Sequence, residues 1–240
     1  KGRVPLDRFY NAFRWVKENT GLIVNVHTGL LDPGQADGIA STGIDIASVD
    51  VVGSDETIRR VYGLKATKED YSGTLESLKN AEVPHVIPHI CVGLDFGEIG
   101  GEVAALEIAK KIDPELVVLL ELMPTQGTAM EAVKPPSAEE MAMVVAAARL
   151  MCPGAGIALG CMRPRTGKDR VEELALEAGV DRIVLPSRST VERAGIAGFS
   201  VRHLDGCCAI PKSLEGRALR LGGSQAHLQN VNEVPGRDAY

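Results

Sequence analysis

Aromatic residues are scarce: Phe, Tyr and Trp together make up 4% of the 240 residues, with a single Trp. Large flat side chains therefore cannot build the core, and the 45% hydrophobic content has to be carried by Val, Ile, Leu, Ala and Met. An excess of positive charge is also missing. With 26 basic and 32 acidic residues the net charge is −6, which argues against a general binder of nucleic-acid backbones, because that affinity comes from Lys and Arg neutralising phosphates. A small molecule, or a substrate held on a carrier, is the expected partner, with no nucleic acid. No apolar run approaches the roughly 20 residues that span a bilayer, so no membrane is expected, and the absence of a signal-peptide pattern points to the cytoplasm. The five cysteines are odd in number and follow no regular spacing, which fits a reducing compartment better than a disulfide scaffold. No complete P-loop or dinucleotide fingerprint is found. The opening "KGRVPLDRFYNAF" has no methionine and reads as the interior of a longer chain.

What is present is an alternation of helix and strand patterns. "VPLDRFYNAFRWVKENTG" places Phe9, Phe13 and Val16 at helical spacing. "LIVNVH" follows as a strand, Pro33 opens a helix to about Thr42, and Asp45 to Val51 is a second strand. Ser54 caps a short helix, and "KEDYSGTLESLKNAE" is a longer one. "HVIPHICVGLDFGE" is a third strand with its loop, Glu98 to Ile112 a helix, and "ELVVLLELMP" a fourth strand. "SAEEMAMVVAAARLM" is helical, "GIALG" and "DRIVLP" are the fifth and sixth strands, and a short helix through Ala194 with "FSVRHL" closes the pattern. Val- and Ile-rich strands alternating with helices imply an α/β fold with parallel strands, of the (β/α) barrel type. A barrel of eight such units runs to about 250 residues. One or two units are therefore expected to precede Lys1. The barrel is assigned to residues 1–205. The polar, glycine-rich 206–240 is expected to be a loosely held extension.

Polar residues interrupt the strands at Asn25, His27, His89 and Glu121. Each alone fits a hydrogen-bonded core group, but four of them near one rim favour a site, since ligands bind at the carboxyl ends of parallel strands. His27, His89 and Glu121 are also candidate ligands of a divalent metal in a barrel lyase or aldolase. Asp50 ends the second strand, where a carboxylate can accept ribose hydroxyls. Gly93 and Gly97 would let a flat ring or phosphate approach the backbone. Arg163 and Arg165 stand where the fifth strand turns into its helix. Cys91, Cys152 and Cys161 read most simply as packing residues. The adjacent Cys207 and Cys208 cannot easily share one core and are candidates for a metal or cluster.

Taken in order, "NVHTGLLD", "SVDVVGSDETIRRVYGL", "SGTLESLKNAEVPHVIPHICVGLDFGE", "LMPTQGT", "GCMRPR" and "EAGVDRIVLPS" resemble the biotin-synthase-like branch of the radical S-adenosylmethionine enzymes over about residues 4–205. That branch includes biotin synthase, hydrogenase maturases, methylornithine synthase and archaeal lipoyl synthases. The resemblance implies S-adenosylmethionine as cofactor and a [4Fe-4S] cluster on a CxxxCxxC loop, which is not in this chain and is expected upstream of Lys1. It implies a 5′-deoxyadenosyl radical, hydrogen abstraction with sulfur insertion as the leading chemistry, and ferredoxin or flavodoxin as electron donor. It places Asp50 at the ribose, and Cys91, Val92 and Gly93 behind the adenine. Arg163 falls on the inward arginine of biotin synthase's second cluster. Asn25 and Ile87 stand where that cluster's cysteines would be, so a sulfur donor of that type is not expected. A non-catalytic partner subunit is a further alternative.

Overall fold

Residues 4–204 and 206–221 are described by the computed structural model. Six parallel strands form one sheet in chain order: β1 Asn25–His27, β2 Ile46–Asp50, β3 His85–Val92, β4 Leu116–Glu121, β5 Gly156–Leu159 and β6 Arg182–Ile183. Helices α1 Tyr10–Asn19, α2 Pro33–Ala40, α3 Asp55–Thr57, α4 Lys68–Asn80, α5 Glu102–Lys110, α6 Ala138–Met151, α7 Lys168–Glu177 and α8 Arg188–Ile196 alternate with them. A last helix, α9 Lys212–Leu221, follows the sheet. Consecutive strands are neighbours throughout. Successive right-handed crossovers in that order put every crossover helix on one face, which is the winding of a barrel wall rather than of a doubly wound sheet.

Period-two alternation along the strands separates two apolar layers. Ala47, Val49, Val86, Ile90, Val117, Leu119, Ile157 and Leu159 pack against the helices. Ile46, Ile87, Leu116, Val118 and Ala158 form the inner face. Local chemistry fixes the helix starts. Asp32, Thr67 and Ser137 each close a capping box with the side chain three residues on, and Ser54 and Ser187 accept a backbone N–H at their own helix starts. Pro88 lies within β3, and the β3–β4 ladder begins one residue later at His89↔Val118. The missing proline donor thus falls where β3 has no β4 partner.

Gly198, with φ +84°, turns the chain after α8, and Leu204 packs on the inner layer. One expectation is corrected. Residues 206–221 are not a loose extension. Cys208, Ala209, Ile210 and Ala218 are buried in the inner layer, and α9 is tied to the amino ends of the strands. Ser213 bonds both oxygens of Glu115, and Arg217 reaches Asp45 and the Gly21 and Leu22 carbonyls. The remainder of that expectation, 222–240, lies outside the described residues.

Candidate functional site

The alternation that buries Val26, Val49 and Ile90 under the helices turns Asn25, His27, Ser48, Asp50, His89 and Cys91 to the inner face. The register pairs His27 with Ser48 and Asp50 with His89, gathering these side chains on three adjacent strands. His27 Nδ1 lies 3.7 Å from Asp50 Oδ2, and the His27 and His89 rings meet edge to face with centroids 5.0 Å apart. The Ser48 hydroxyl donates to Asn25 Oδ1 at 2.8 Å, which turns the Asn25 amide N–H toward Cys207 Sγ at 3.6 Å. Cys207 and Cys208 Sγ are 3.9 Å apart, and Cys208 Sγ is 3.9 Å from His89 Nε2. The segment after α8 thus lays both thiols against the polar patch of β1–β3.

His89 Nδ1 faces the Ile87 carbonyl at 3.1 Å; a carbonyl only accepts, so Nδ1 carries the proton and Nε2 is left unprotonated. Burial pushes the His89 pKa down to about 4, so the ring is neutral near pH 7. Asp50 is pulled upward by desolvation, but the contact with His27 and the electrostatic influence of the two imidazoles outweigh this and hold it below the usual carboxylate range. The same contact with Asp50 raises His27. Cys207 is lowered to about 5, chiefly by the Cys208 thiol, with the Ala209 N–H and Asn25 adding to it against burial. Cys208, in the inner apolar layer beside that thiolate, is raised. Burial, with Asp50 next, pushes Cys91 up to about 12, which leaves it an inert thiol.

Other expected site residues are not on this face. Arg163 is buried and its ion pair is with Glu172, at 2.6 Å, while Nη1 and Nη2 donate to the Gly160 and Val184 carbonyls and Nε has no hydrogen-bond partner among the described residues. It braces the β5–α7 and β6–α8 turns instead of facing a cluster or anion. Glu121 follows the inner Leu120 and so points to the helix side; burial raises it to about 7 despite Arg163, and it does not converge with His27 and His89. Among the described residues no three His, Cys, Asp or Glu side chains are arranged to hold a metal ion, so the structure lends no support to a His27–His89–Glu121 metal or to one on Cys207 and Cys208. The Val92 side chain is fully buried under the helices and so is turned away from the inner face. Gly93 has φ +76°, and a Cβ there would lie 2.3 Å from Pro136 Cγ; at Gly97 it would lie 2.3 Å from the Lys134 carbonyl. These glycines accommodate the chain's own 133–136 segment, not a flat ring.

Sequence reasoning missed Ser48, Glu172 and a cavity of about 410 Å3 along the open edge of β6. Its wall is mainly apolar, with Val180, Val184, Val191, Ala194 and Leu204, and Cys207 also lines it. Glu172 is the fifth residue after the cap of an ordinary amphipathic helix, and nothing in its neighbours distinguishes it from a solvated carboxylate. Ser48 carried a readable sign: it is the polar residue that alternates with Asp50 on one strand face.

No family model matches the chain. It is 29% identical over 184 residues to a biotin synthase of Prochlorococcus marinus, covering 75% of this chain and 53% of that protein. It is 30% identical over 194 residues to a biotin synthase of Acidithiobacillus ferrooxidans, covering 78% and 59%. The chain thus spans a little over half the length of these relatives. In structure it is similar to HydG, a maturase of the [FeFe]-hydrogenase, with TM-score 0.58 and 17% identity over 75% of this chain and 42% of that one. It is also similar to methylornithine synthase, PylB, with TM-score 0.57 and 21% identity over 90% and 62%. At those identities the structural matches show the fold, a parallel (β/α) barrel.

Proposed function

We propose that this relative of the biotin synthases is the main part of the barrel of a radical S-adenosylmethionine enzyme that abstracts hydrogen from a substrate carbon, with sulfur insertion as the chemistry that follows. The observation that carries the reading is the sequence match to biotin synthases over most of the chain, joined to a polar patch at the strand ends on the inner face. S-adenosylmethionine fits that patch at Asp50. Its side chain is 57% exposed, and the one side-chain partner described for it is His27 at 3.7 Å, so carboxylate lone pairs stay open to ribose hydroxyls. His27 orients the carboxylate and keeps it ionised. The Gly93 backbone is withdrawn from this role by Pro136.

The residues present do not fit a radical-generating [4Fe-4S] cluster. Cys91, Cys152, Cys161, Cys207 and Cys208 are the chain's five cysteines, and none is in CxxxCxxC spacing. The rest of the reading covers a small or carrier-bound substrate, a ferredoxin- or flavodoxin-type electron donor and action in the cytoplasm. Two measurements test it. The full-length protein, reconstituted anaerobically with iron and sulfide and then reduced, is expected to release 5′-deoxyadenosine from S-adenosylmethionine; none under any substrate condition overturns the reading. Asp50→Ala is expected to weaken S-adenosylmethionine binding by at least about tenfold, since two hydrogen bonds to a charged group are worth roughly 1.5–3 kcal/mol each. Asp50→Asn should lose less, because its amide oxygen still accepts. Unchanged calorimetric affinity in Asp50→Ala would remove Asp50 from the cofactor site.

A further inference from the structure

We propose that Cys207 is a sulfur-accepting nucleophile that takes the terminal sulfur of a small persulfide or polysulfide, with Cys208 as the thiol that holds it ready. The inference deepens the sulfur-insertion reading and rests on it for the use of the loaded sulfur; the loading chemistry stands on the geometry.

Three donors converge on Cys207 Sγ: the Cys208 thiol at 3.9 Å, the Asn25 amide at 3.6 Å, itself aimed by Ser48, and the Ala209 backbone N–H. Hydrogen bonds to the charged form favour the thiolate, and the thiolate is the nucleophile. Burial and the neighbouring thiolate together hold Cys208 as the protonated partner, its single S–H turned to Cys207. Cys207 also lines the cavity of about 410 Å3 beside β6, whose apolar wall limits attack by water on anything attached there. A terminal sulfur added to Cys207 would stand at that cavity's edge.

Two other uses of the pair fit less well. Metal binding needs a third donor, and among the described residues no three are so arranged. A disulfide between them would have to form across consecutive residues, whose Cα atoms are about 3.8 Å apart, below the usual span of about 4.4–6.8 Å. Sulfane transfer needs neither. The Cys207 thiolate attacks the outer sulfur of R–S–SH, the S–S bond breaks, and R–S⁻ leaves to take up a proton from solvent. Cys207 ends as Cys–S–SH, with no net oxidation and no further reactant.

The test is anaerobic treatment of the full-length protein with inorganic polysulfide, followed by intact mass and peptide fragmentation. The expected result at pH 6.5 is a gain of about 32 Da on Cys207, at least about tenfold faster than on Cys161, the exposed thiol without these donors. Cys207→Ser should abolish the gain. Cys208→Ala should retain it but move the pH midpoint of loading upward by about one unit or more, since the principal stabiliser of the thiolate is gone. Labelling of Cys161 as fast as Cys207 in the unmodified protein, or a label residing on Cys208, overturns the proposal without reliance on any variant folding. Loading requires no S-adenosylmethionine and no reductant, so failure here leaves the radical reading standing, and absence of 5′-deoxyadenosine leaves this one standing.

Discussion

Removing Glu172 should cost stability before it costs anything else. Its side chain is fully buried on α7 and accepts from Arg163 Nη2 at 2.6 Å, the Ser187 backbone N–H at 2.7 Å and the Thr190 hydroxyl at 2.8 Å, with Lys168 Nζ at 3.6 Å. Glu172→Ala would leave the Arg163 guanidinium 4% exposed with two carbonyls and without its ion-pair partner, and would strip the Ser187 N–H and the Thr190 hydroxyl of the carboxylate they donate to. Breaking a buried pair from one side costs about 3–5 kcal/mol, because the surviving charge stays desolvated. For a domain of this size each kcal/mol moves the melting temperature by about 2–4 °C, so a fall of roughly 6–20 °C is expected. Arg163→Met should cost less, because Glu172 keeps three donors. The double variant Arg163→Met with Glu172→Leu should recover much of the loss, since it removes both desolvation costs together. Denaturant titration followed by circular dichroism, with unchanged slope, measures all three. A Glu172→Ala loss below about 1 kcal/mol, or a double variant as damaged as the sum of the singles, would refute the argument.

His89 makes stability sensitive to acid. Its folded pKa of about 4 lies below the ordinary 6.5, so below pH 6.5 the unfolded chain binds the proton more readily, and stability is lost as pH falls from about 6.5 toward 4. The full loss is about 3 kcal/mol at 1.36 kcal/mol per unit, and His89→Leu should flatten that part of a stability-versus-pH curve; an unaltered curve would mean the ring is charged when folded. Gly93→Ala should destabilise by roughly 1–3 kcal/mol, because φ +76° is unfavourable for alanine and its Cβ would strike Pro136. A melting temperature unchanged by that substitution would mean the 133–136 segment yields freely.

The fold was legible because its signals are local and redundant. All six expected strands exist, since each is a Val- or Ile-rich run bounded by a helix with its own cap or stop. "LIVNVH" shrank to Asn25–His27 because β1 pairs with β2 alone, and only residues 25–27 have a partner there. The inner-face members Asn25, His27, Asp50 and His89 were legible for a related reason: a polar residue inside an apolar strand is conspicuous. Arg163 and Glu121 misled because a strand's end does not say which face its last side chain takes. One residue of register separates the inner Leu120 from the helix-side Glu121.

What could not be read is the pairing of segments far apart in sequence. Cys207 and Asn25 are 182 residues apart, and Cys208 and His89 are 119 apart, yet these are the contacts that give the thiol pair its chemistry. They depend on α9, whose Arg217 and Ser213 hold the polar-looking 206–221 across the strand starts through Asp45 and Glu115. Composition marked that stretch as a tail because its buried share is only five small or medium side chains, Cys208, Ala209, Ile210, Pro211 and Ala218. Five such groups suffice where the receiving surface already exists. The inner layer of Ile46, Ile87, Leu116 and Val118 would otherwise face solvent, so covering it removes apolar area on both sides of the contact. The same docking that completes the core therefore delivers the thiols to the imidazoles, and any change that frees α9 should weaken the core and undo the Cys207 site together.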